Sequence, residues 1–294
     1  YKPHIPLCEV RDKQDFPMIM KVKVKYILLL VLCFSFLPRA IEAQNTFSEL
    51  KVMTYNIRFG QLATLSEISS FIKNEKPDLV ALQECDWKVN REIAPHQKGK
   101  AYINEIAYYT ELFGLYGKAI DYKGGYYGIG LLSKYPIIKS ERVLLPNPEP
   151  EKEQRAMLIA EIELPDSTSI TFICTHLEVS FSTTRIAQIR FINEKIKEIK
   201  TPILLAGDLN STPNDQEIKE GFVNWANLTD TTYTFSAEEP KVKIDYIYGY
   251  PSNCFKLIST KVHTECKLSD HFPVSAITCL SPVEPMKNLK IKHL

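Results

Sequence analysis

Asp208 and Asn210 are the first side chains in this sequence whose spacing suggests chemistry, in the segment Gly-Asp-Leu-Asn at residues 207–210. Residues 203–206 are apolar at every position and lead into turn residues, which is typical of a buried strand. The end of such a strand places a carboxylate beside an amide at a sheet edge, where α/β folds carry their active sites. Both residues could equally be turn formers that hydrogen-bond their own backbone.

Six more polar residues stand at predicted strand ends or in the loop before the last strand. Singly, each is better explained by solvent exposure, a structural ion pair or another structural role than by catalysis. Together they supply the groups that phosphoester hydrolysis requires. Carboxylates bind Mg²⁺ or Mn²⁺, the cation offsets charge on phosphoryl oxygens, and a carboxylate or imidazole orients water. The six are Asn56, Glu84, His176, Asp245, Asp270 and His271.

Hydrophobic periodicity predicts two strand–helix–strand units that position these residues. The first comprises a strand at 50–57, a helix at 63–74 and a strand at 79–84. The second comprises a strand at 169–176, a helix at 185–199 and the strand before Asp208. We therefore expect an α/β fold, a four-layer α/β/β/α sandwich with two packed mixed β-sheets flanked by helices. Further strands are predicted at 129–133, 155–164, 242–248, 255–263 and 274–279, and a further helix at 102–112.

Composition is that of a globular protein without a strong charge bias. The chain has 294 residues, of which 45% are hydrophobic and 24% are charged, and its formal net charge is +1. The first 43 residues hold seven basic and four acidic side chains, so 29 basic and 31 acidic side chains follow them. No basic excess remains to follow a phosphate backbone, although bound cations could offset phosphate charge. No Pro, Gly or Ser-rich linker interrupts residues 46–281, so we expect one domain there and a tail at 282–294.

The N-terminal 43 residues have the pattern of an extension followed by a signal peptide. Residues 20–25 are basic, residues 26–37 are mostly apolar, and Ala43 ends a plausible cleavage site. The apolar stretch of 12 residues is shorter than the roughly 20 that a bilayer requires. A cleaved signal is therefore favoured over a retained anchor, and we expect a secreted or periplasmic protein without a transmembrane span. Residues 1–17 precede a plausible start at Met18 or Met20, and we do not expect them to be translated.

Five cysteines follow residue 43, and their spacing matches no metal-binding knuckle. Cys174 and Cys279 lie in apolar strand-like runs and are interpreted as core residues. Cys254 and Cys266 flank a strand-like segment that would hold them about 30 Å apart. Since a disulfide requires Cα atoms within about 7 Å, we do not expect these two to be paired.

The polar segments together resemble the endonuclease/exonuclease/phosphatase superfamily, which includes deoxyribonuclease I, the apurinic endonucleases, inositol polyphosphate 5-phosphatases and neutral sphingomyelinases. The matching segments occur in family order between residues 50 and 280. Residues 127–134 resemble one more family strand, in which Ile129 stands where many members have Asn. The six segments are 53–58 (Met-Thr-Tyr-Asn-Ile-Arg), 78–84 (Asp-Leu-Val-Ala-Leu-Gln-Glu), 175–177 (Thr-His-Leu), 207–210, 244–247 (Ile-Asp-Tyr-Ile) and 269–273 (Ser-Asp-His-Phe-Pro).

The resemblance implies a role for each candidate residue. Glu84 would be the main metal ligand, with Asn56 beside it and Asp270 completing the site for Mg²⁺ or Mn²⁺. Asp208 would orient or deprotonate the attacking water, and Asn210 would hold a phosphoryl oxygen. The remaining catalytic and substrate-binding candidates follow. His176 and His271 would contact the phosphate, Asp245 or Asp270 would fix His271 through a ring N–H, and Arg155 would reach the substrate or form a surface salt bridge.

Three functions are compatible with these residues. The first is an exported metal-dependent phosphoesterase acting on a small phosphodiester or phosphomonoester or on a lipid headgroup. The second is a secreted endonuclease on extracellular nucleic acid, and the third is a non-catalytic binding module. The loops near the site carry Trp87, Tyr122, Tyr126 and Tyr127, which could stack on a substrate or pack beneath their own loops. The short loops and the predicted export favour a small substrate.

Overall fold

The computed structural model describes residues 48–280. The extension and signal peptide predicted for residues 1–43, and the tail predicted for 282–294, lie outside this part of the chain. None of the helices between residues 48 and 280 is long and apolar enough to cross a membrane. Within the same residues all five cysteines are free thiols: Cys85, Cys174, Cys254, Cys266 and Cys279.

Twelve strands and four α-helices make up residues 48–280. The strands are β1 Ser48–Asn56, β2 Leu79–Trp87, β3 Phe113–Tyr122, β4 Gly125–Ser133, β5 Ile137–Leu144, β6 Ala156–Glu163, β7 Ser169–His176, β8 Ile203–Asp208, β9 Ala226–Asn227, β10 Asp245–Tyr250, β11 Phe255–Val262 and β12 Val274–Leu280. The helices are α1 Leu65–Glu75, α2 Tyr102–Thr110, α3 Ser182–Lys195 and α4 Gln216–Gly221.

The strands form two six-stranded mixed sheets. The order in the first is β11-β12-β1-β2-β4-β3, and in the second β5-β6-β7-β8-β10-β9. The pairs β1–β2 and β7–β8 are parallel, and all other pairings are antiparallel. A parallel pair requires a crossover connection, which α1 supplies in the first sheet and α3 in the second. These are the two strand–helix–strand units that the sequence predicts.

Apolar side chains from both sheets meet in one central core. Val52 of β1, Leu131 of β4, Phe172 of β7 and Ile247 of β10 belong to this core. The opposite faces of the sheets pack against α1 and α2 on one side and against α3 and α4 on the other. The four-layer sandwich with two packed mixed sheets is therefore confirmed.

Three strands and one helix were not predicted from the sequence. β3, β5 and the two-residue β9 are edge strands, and most residues of β5 are exposed. An edge strand that faces solvent has little need for apolar alternation, so its sequence carries a weak signal. The helix α4 has only six residues, too few to show helical periodicity.

Candidate active site

Strand alternation directs the predicted residues of both sheets to the edge of the central core. On β1, Val52 lies in that core whereas Met53 faces the helices, so Asn56 shares the face of Val52. By the same alternation, Cys174 on β7 and Ala206 on β8 belong to the central core and are followed two residues later by His176 and Asp208. The ends of β1, β7 and β8 therefore lie together at one edge of the sandwich, beyond the central core.

Glu84 reaches the same edge by a β-bulge. Leu82 and Cys85 both pack on the helix side of the sheet, and the register with β4 shifts between them. Without the bulge, Glu84 would share the face of Leu82 and point away from the site. Glu84 instead has a φ of 59°, and its Oε1 accepts a hydrogen bond from Nδ2 of Asn56 at 3.1 Å. Bulges next to active sites commonly redirect a side chain in this way.

Asp208 lies at the centre of the site, which we call the Asp208 hub, and its carboxylate is close to three other predicted residues. Its Oδ2 accepts a hydrogen bond from Nδ2 of Asn56 at 3.1 Å and lies 3.5 Å from Nε2 of His176 and 3.7 Å from Nε2 of His271. The side chain is almost fully buried. Burial, and after it the neighbouring negative charge of Asp245, raises the pKa of Asp208 to about 7. A buried carboxylate with such a pKa is suited to accept a proton near neutral pH.

Asp245 and His271 form a hydrogen-bonded pair beside Asp208. Nδ1 of His271 lies 3.0 Å from Oδ2 of Asp245, so Asp245 rather than Asp270 fixes this imidazole. Burial lowers the pKa of His271, but the carboxylates of Asp245 and Asp208 outweigh burial and raise that pKa to about 10. His271 is thus cationic at neutral pH. The ligand atoms of Asp208, Asp245 and His271 lie within 4.8 Å of one another, which makes them a possible metal-binding group within residues 48–280.

The residues predicted to hold the metal are close together, although their roles stay a prediction. Burial raises the pKa of Glu84, and the carboxylate of Asp270 raises it further. Two neighbouring carboxylates, one of them desolvated, fit a hard divalent cation that would offset their charge. Asn56 accepts a hydrogen bond at Oδ1 from the backbone N–H of Arg58 at 3.0 Å, so its amide nitrogen faces the carboxylates. Nη1 of Arg58 lies 3.2 Å from Oδ2 of Asp270.

Arg155 is buried and contacts His176. Its Nη1 lies 3.0 Å from Nδ1 of His176 and 2.9 Å from Oε1 of Glu153. The side chain is only 6% exposed, so Arg155 does form a salt bridge, with Glu153, but a buried one rather than one at the surface. Its Nε has no hydrogen-bond partner among residues 48–280. Burial, and after it the positive charges of Arg155 and His271, lowers the pKa of His176 well below its ordinary value.

Asn210 connects the two loops that follow β7 and β8. Its backbone N–H donates to Oδ1 of Asp208 at 2.9 Å, which is the turn-forming contact considered for this segment. Its Nδ2 donates to the backbone oxygen of Leu177 at 3.0 Å. Asn210 therefore holds the loop after His176 against the loop after Asp208, while its contact with phosphate stays a prediction.

Beside the site lies the buried guanidinium of Arg91, which was not among the residues predicted from strand ends. Arg91 donates from Nε and Nη2 to the two carboxylate oxygens of Asp86 at 2.8 and 3.0 Å. Its guanidinium carbon lies 4.0 Å from the ring centroid of Phe59, 4.5 Å from that of Tyr122 and 5.3 Å from that of Tyr127. Arg91 lies in a loop beyond the end of β2, and only the spacing of opposite charges five residues apart hints at the pair.

Of the four aromatic residues considered for stacking, Tyr127 is buried against Arg91, whereas Tyr126 is 39% exposed. Tyr122 also lies against Arg91 but is only half-buried and borders a surface cavity. Trp87 and Tyr126, together with Lys88 and residues 121–125, line a surface cavity of about 510 Å³.

A sandwich that gathers buried carboxylates and a charged imidazole at its open edge defines the class of metal-dependent phosphoester hydrolases. The Endonuclease/Exonuclease/phosphatase family model matches residues 53–271, and the chain belongs to that family. The family, which is generally dependent on divalent metals, hydrolyses phosphoester bonds, so this protein is an enzyme of that type.

Comparison with individual proteins agrees with the family. The uncharacterized protein YbhP of Escherichia coli (strain K12) is 26% identical over 251 residues, which cover 77% of this chain and 94% of YbhP. The crystal structure of an endonuclease/exonuclease/phosphatase from Beutenbergia cavernae matches with a TM-score of 0.65 at 20% identity and covers 79% of this chain and 72% of that one. The mannosyl-6-phosphatase Bt3783 of Bacteroides thetaiotaomicron matches with a TM-score of 0.62 at 18% identity and covers 79% of this chain and 100% of that one.

Proposed function

We propose that this protein is an exported Mg²⁺- or Mn²⁺-dependent phosphoesterase that cleaves a small phosphodiester or phosphomonoester by attack of water. The observation that carries the proposal is the Asp208 hub. A buried carboxylate with a pKa of about 7 stands beside the cationic imidazole of His271, and Asn56 connects it to Glu84. This places a proton acceptor, a positive charge and a predicted cation ligand around one space.

Each residue of the site has a task in such a reaction. Glu84 and Asp270 would hold the divalent cation, which offsets negative charge on phosphoryl oxygens when it is bound. Asp208 orients the attacking water and accepts its proton. His271, kept cationic by Asp245, donates a hydrogen bond to the phosphoryl group as negative charge develops. His176, whose Nε2 lies 3.5 Å from Oδ2 of Asp208, donates a second hydrogen bond.

Three features favour a small substrate outside the cytoplasm. The chain after residue 43 has no basic excess, and residues 1–43 have the pattern of a signal peptide. A structural neighbour, Bt3783, is described as a mannosyl-6-phosphatase, which supports a phosphate ester of a sugar as a substrate class.

Hydrolysis of bis-p-nitrophenyl phosphate and p-nitrophenyl phosphate tests the proposal. We expect activity with Mg²⁺ or Mn²⁺, and loss of activity with EDTA. Glu84→Gln and Asp208→Asn should each remove most activity while leaving the circular dichroism spectrum unchanged. Glu194→Gln is the matched control, because Glu194 is an exposed carboxylate on α3 paired only with Lys197. Wild-type rates in both site variants would contradict the assignment.

A secreted nuclease is the second candidate, and the cavity beside Trp87 is the observation that favours it. Nζ of Lys88 lies 6.0 Å from the ring centroid of Trp87, and Nζ of Lys123 lies 5.8 Å from that of Tyr122. Aromatic faces flanked by lysines can stack a base and contact its phosphate. Plasmid nicking and RNA degradation, compared with a panel of sphingomyelin, inositol phosphates and sugar phosphates, separate the two candidates. Only a nuclease should cleave the polymers faster than the small esters.

A further inference from the structure

The imidazole of His176 lies between a guanidinium and a carboxylate. Nδ1 is 3.0 Å from Nη1 of Arg155, and Nε2 is 3.5 Å from Oδ2 of Asp208. All three side chains are shielded from water, since His176 is 5% exposed, Arg155 is 6% exposed and Asp208 is 1% exposed. Which ring nitrogen of His176 carries a proton therefore depends on Arg155 and Asp208 rather than on solvent.

Hydrogen-bond chemistry permits one arrangement of those protons. A guanidinium has only donors and keeps its proton at any pH at which proteins are folded. Nδ1 of His176 must therefore accept from Arg155 through its lone pair and carries no hydrogen. A half-turn of the ring would put carbon atoms in place of both nitrogens and lose both contacts. The ring proton thus lies on Nε2, facing Asp208.

We propose that Arg155 is a positioning residue that holds His176 as a neutral imidazole with its proton on Nε2. Oε1 of Glu153 lies 2.9 Å from the same Nη1 and forms an ion pair with Arg155. Since Nδ1 accepts from Arg155 through its lone pair, it has no place for a second proton while this contact is made. The inference rests on the proposed function only in placing His176 at the reacting phosphoryl group; the tautomer is a property of the folded chain.

The two histidines of the site consequently have different tasks. His271 is paired through Nδ1 with the carboxylate of Asp245, which accepts, so Nδ1 of that ring carries hydrogen. His176 is paired through Nδ1 with a positive charge, and it offers a hydrogen bond from Nε2 without being an imidazolium acid. The proton that a leaving group requires therefore does not come from a charged His176.

Nuclear magnetic resonance of protein labelled with ¹⁵N at histidine tests the tautomer directly, without metal or substrate. The spectrum is recorded at about pH 6, below the ordinary histidine pKa of about 6.5, and His176 is identified by the signals lost in His176→Gln. We expect an unprotonated Nδ1 and a protonated Nε2. A ring protonated at Nδ1, alone or together with Nε2, would overturn the proposal.

Variants of Arg155 test whether this residue is the cause. Arg155→Met removes the donor, so we expect the unprotonated Nδ1 signal to be lost. Arg155→Lys should keep that signal, because an ammonium group also only donates. Arg142→Met is the control, since Arg142 donates to a backbone oxygen on the exposed strand β5. An unchanged His176 spectrum in Arg155→Met would show that Arg155 does not set the tautomer.

The wild-type spectrum decides the tautomer even if Arg155→Met fails to fold. Because no substrate is present, the result is also independent of catalysis. Absence of ester hydrolysis together with the expected spectrum would refute the proposed function and leave the assignment of His176 intact.

Discussion

Replacing Asp245 by asparagine should make the stability of this protein less dependent on pH. In the native protein the pKa of His271 is about 10, compared with an ordinary value of 6.5, although burial alone would lower it. At about 1.4 kcal/mol per pKa unit, the net stabilisation of charged His271 in the folded protein, after the opposing effect of burial, is on the order of 5 kcal/mol. Asp245 makes the 3.0 Å contact, so its removal should lose about 3 kcal/mol of that amount.

The direction of the pH dependence follows from the raised pKa. A folded-state pKa above the unfolded value contributes stability that is fully present below about pH 6.5 and is lost as the pH rises through about 10. At about pH 9 only one pKa unit remains, or about 1.4 kcal/mol. The difference between wild type and Asp245→Asn should therefore be about 3 kcal/mol at pH 6 and no more than about 1.4 kcal/mol at pH 9.

Urea unfolding at the two pH values measures this difference. EDTA is included so that no divalent cation competes with the histidine charge. Asp121→Asn is the control, because Asp121 is an exposed carboxylate paired only with Lys118. An equal loss of unfolding free energy at pH 6 and pH 9 would refute the reasoning, since the loss would then not depend on the charge of His271.

Three further predictions concern the metal, the wall of the site and the spacing of the strands. Glu84→Gln should weaken Mg²⁺ or Mn²⁺ binding in calorimetry and lower kcat/KM by about 100-fold or more, because a ligand charge is lost. Arg91→Met should reduce the free energy of unfolding by about 3 kcal/mol, because it leaves the buried carboxylate of Asp86 unpaired. Gly207→Ala should lower both stability and activity, because a Cβ there would lie 2.1 Å from the backbone oxygen of Thr175 and force β7 away from β8.

Each of these has a result that contradicts it. Unaltered metal affinity in Glu84→Gln would remove Glu84 from the ligand set. A loss of less than about 0.5 kcal/mol in the free energy of unfolding of Arg91→Met would contradict the second prediction, because that is the effect typical of an exposed position. Native stability in Gly207→Ala would mean that the close contact with Thr175 relaxes without cost. Gly117→Ala is the control, because its Cβ would meet only side-chain atoms, at 3.1 Å or more, and its φ is not positive.

Several features of the site could be predicted from the sequence because they depend on local patterns. Strand-like apolar runs that end in polar or turn residues place Asn56, His176 and Asp208 at strand ends. Two strand–helix–strand units imply parallel pairs, so these ends had to collect on one edge. The start of α1 is also determined by local hydrogen bonds. Thr64 and Glu67 form a capping box, in which the side chain of each accepts a hydrogen bond from the backbone N–H of the other.

The pairing of side chains was decided only by the tertiary structure. Sequence alternation would turn Glu84 away from the site, and the bulge in β2 brings it back to Asn56. The choice of Asp245 as the partner of His271 depends on how β10 lies against the loop before β12. Arg155 looked equally suited to the surface, and only packing buries it against His176. Alternation specifies which face of its own strand a residue occupies, but contacts between elements distant in sequence depend on the register and packing of both sheets.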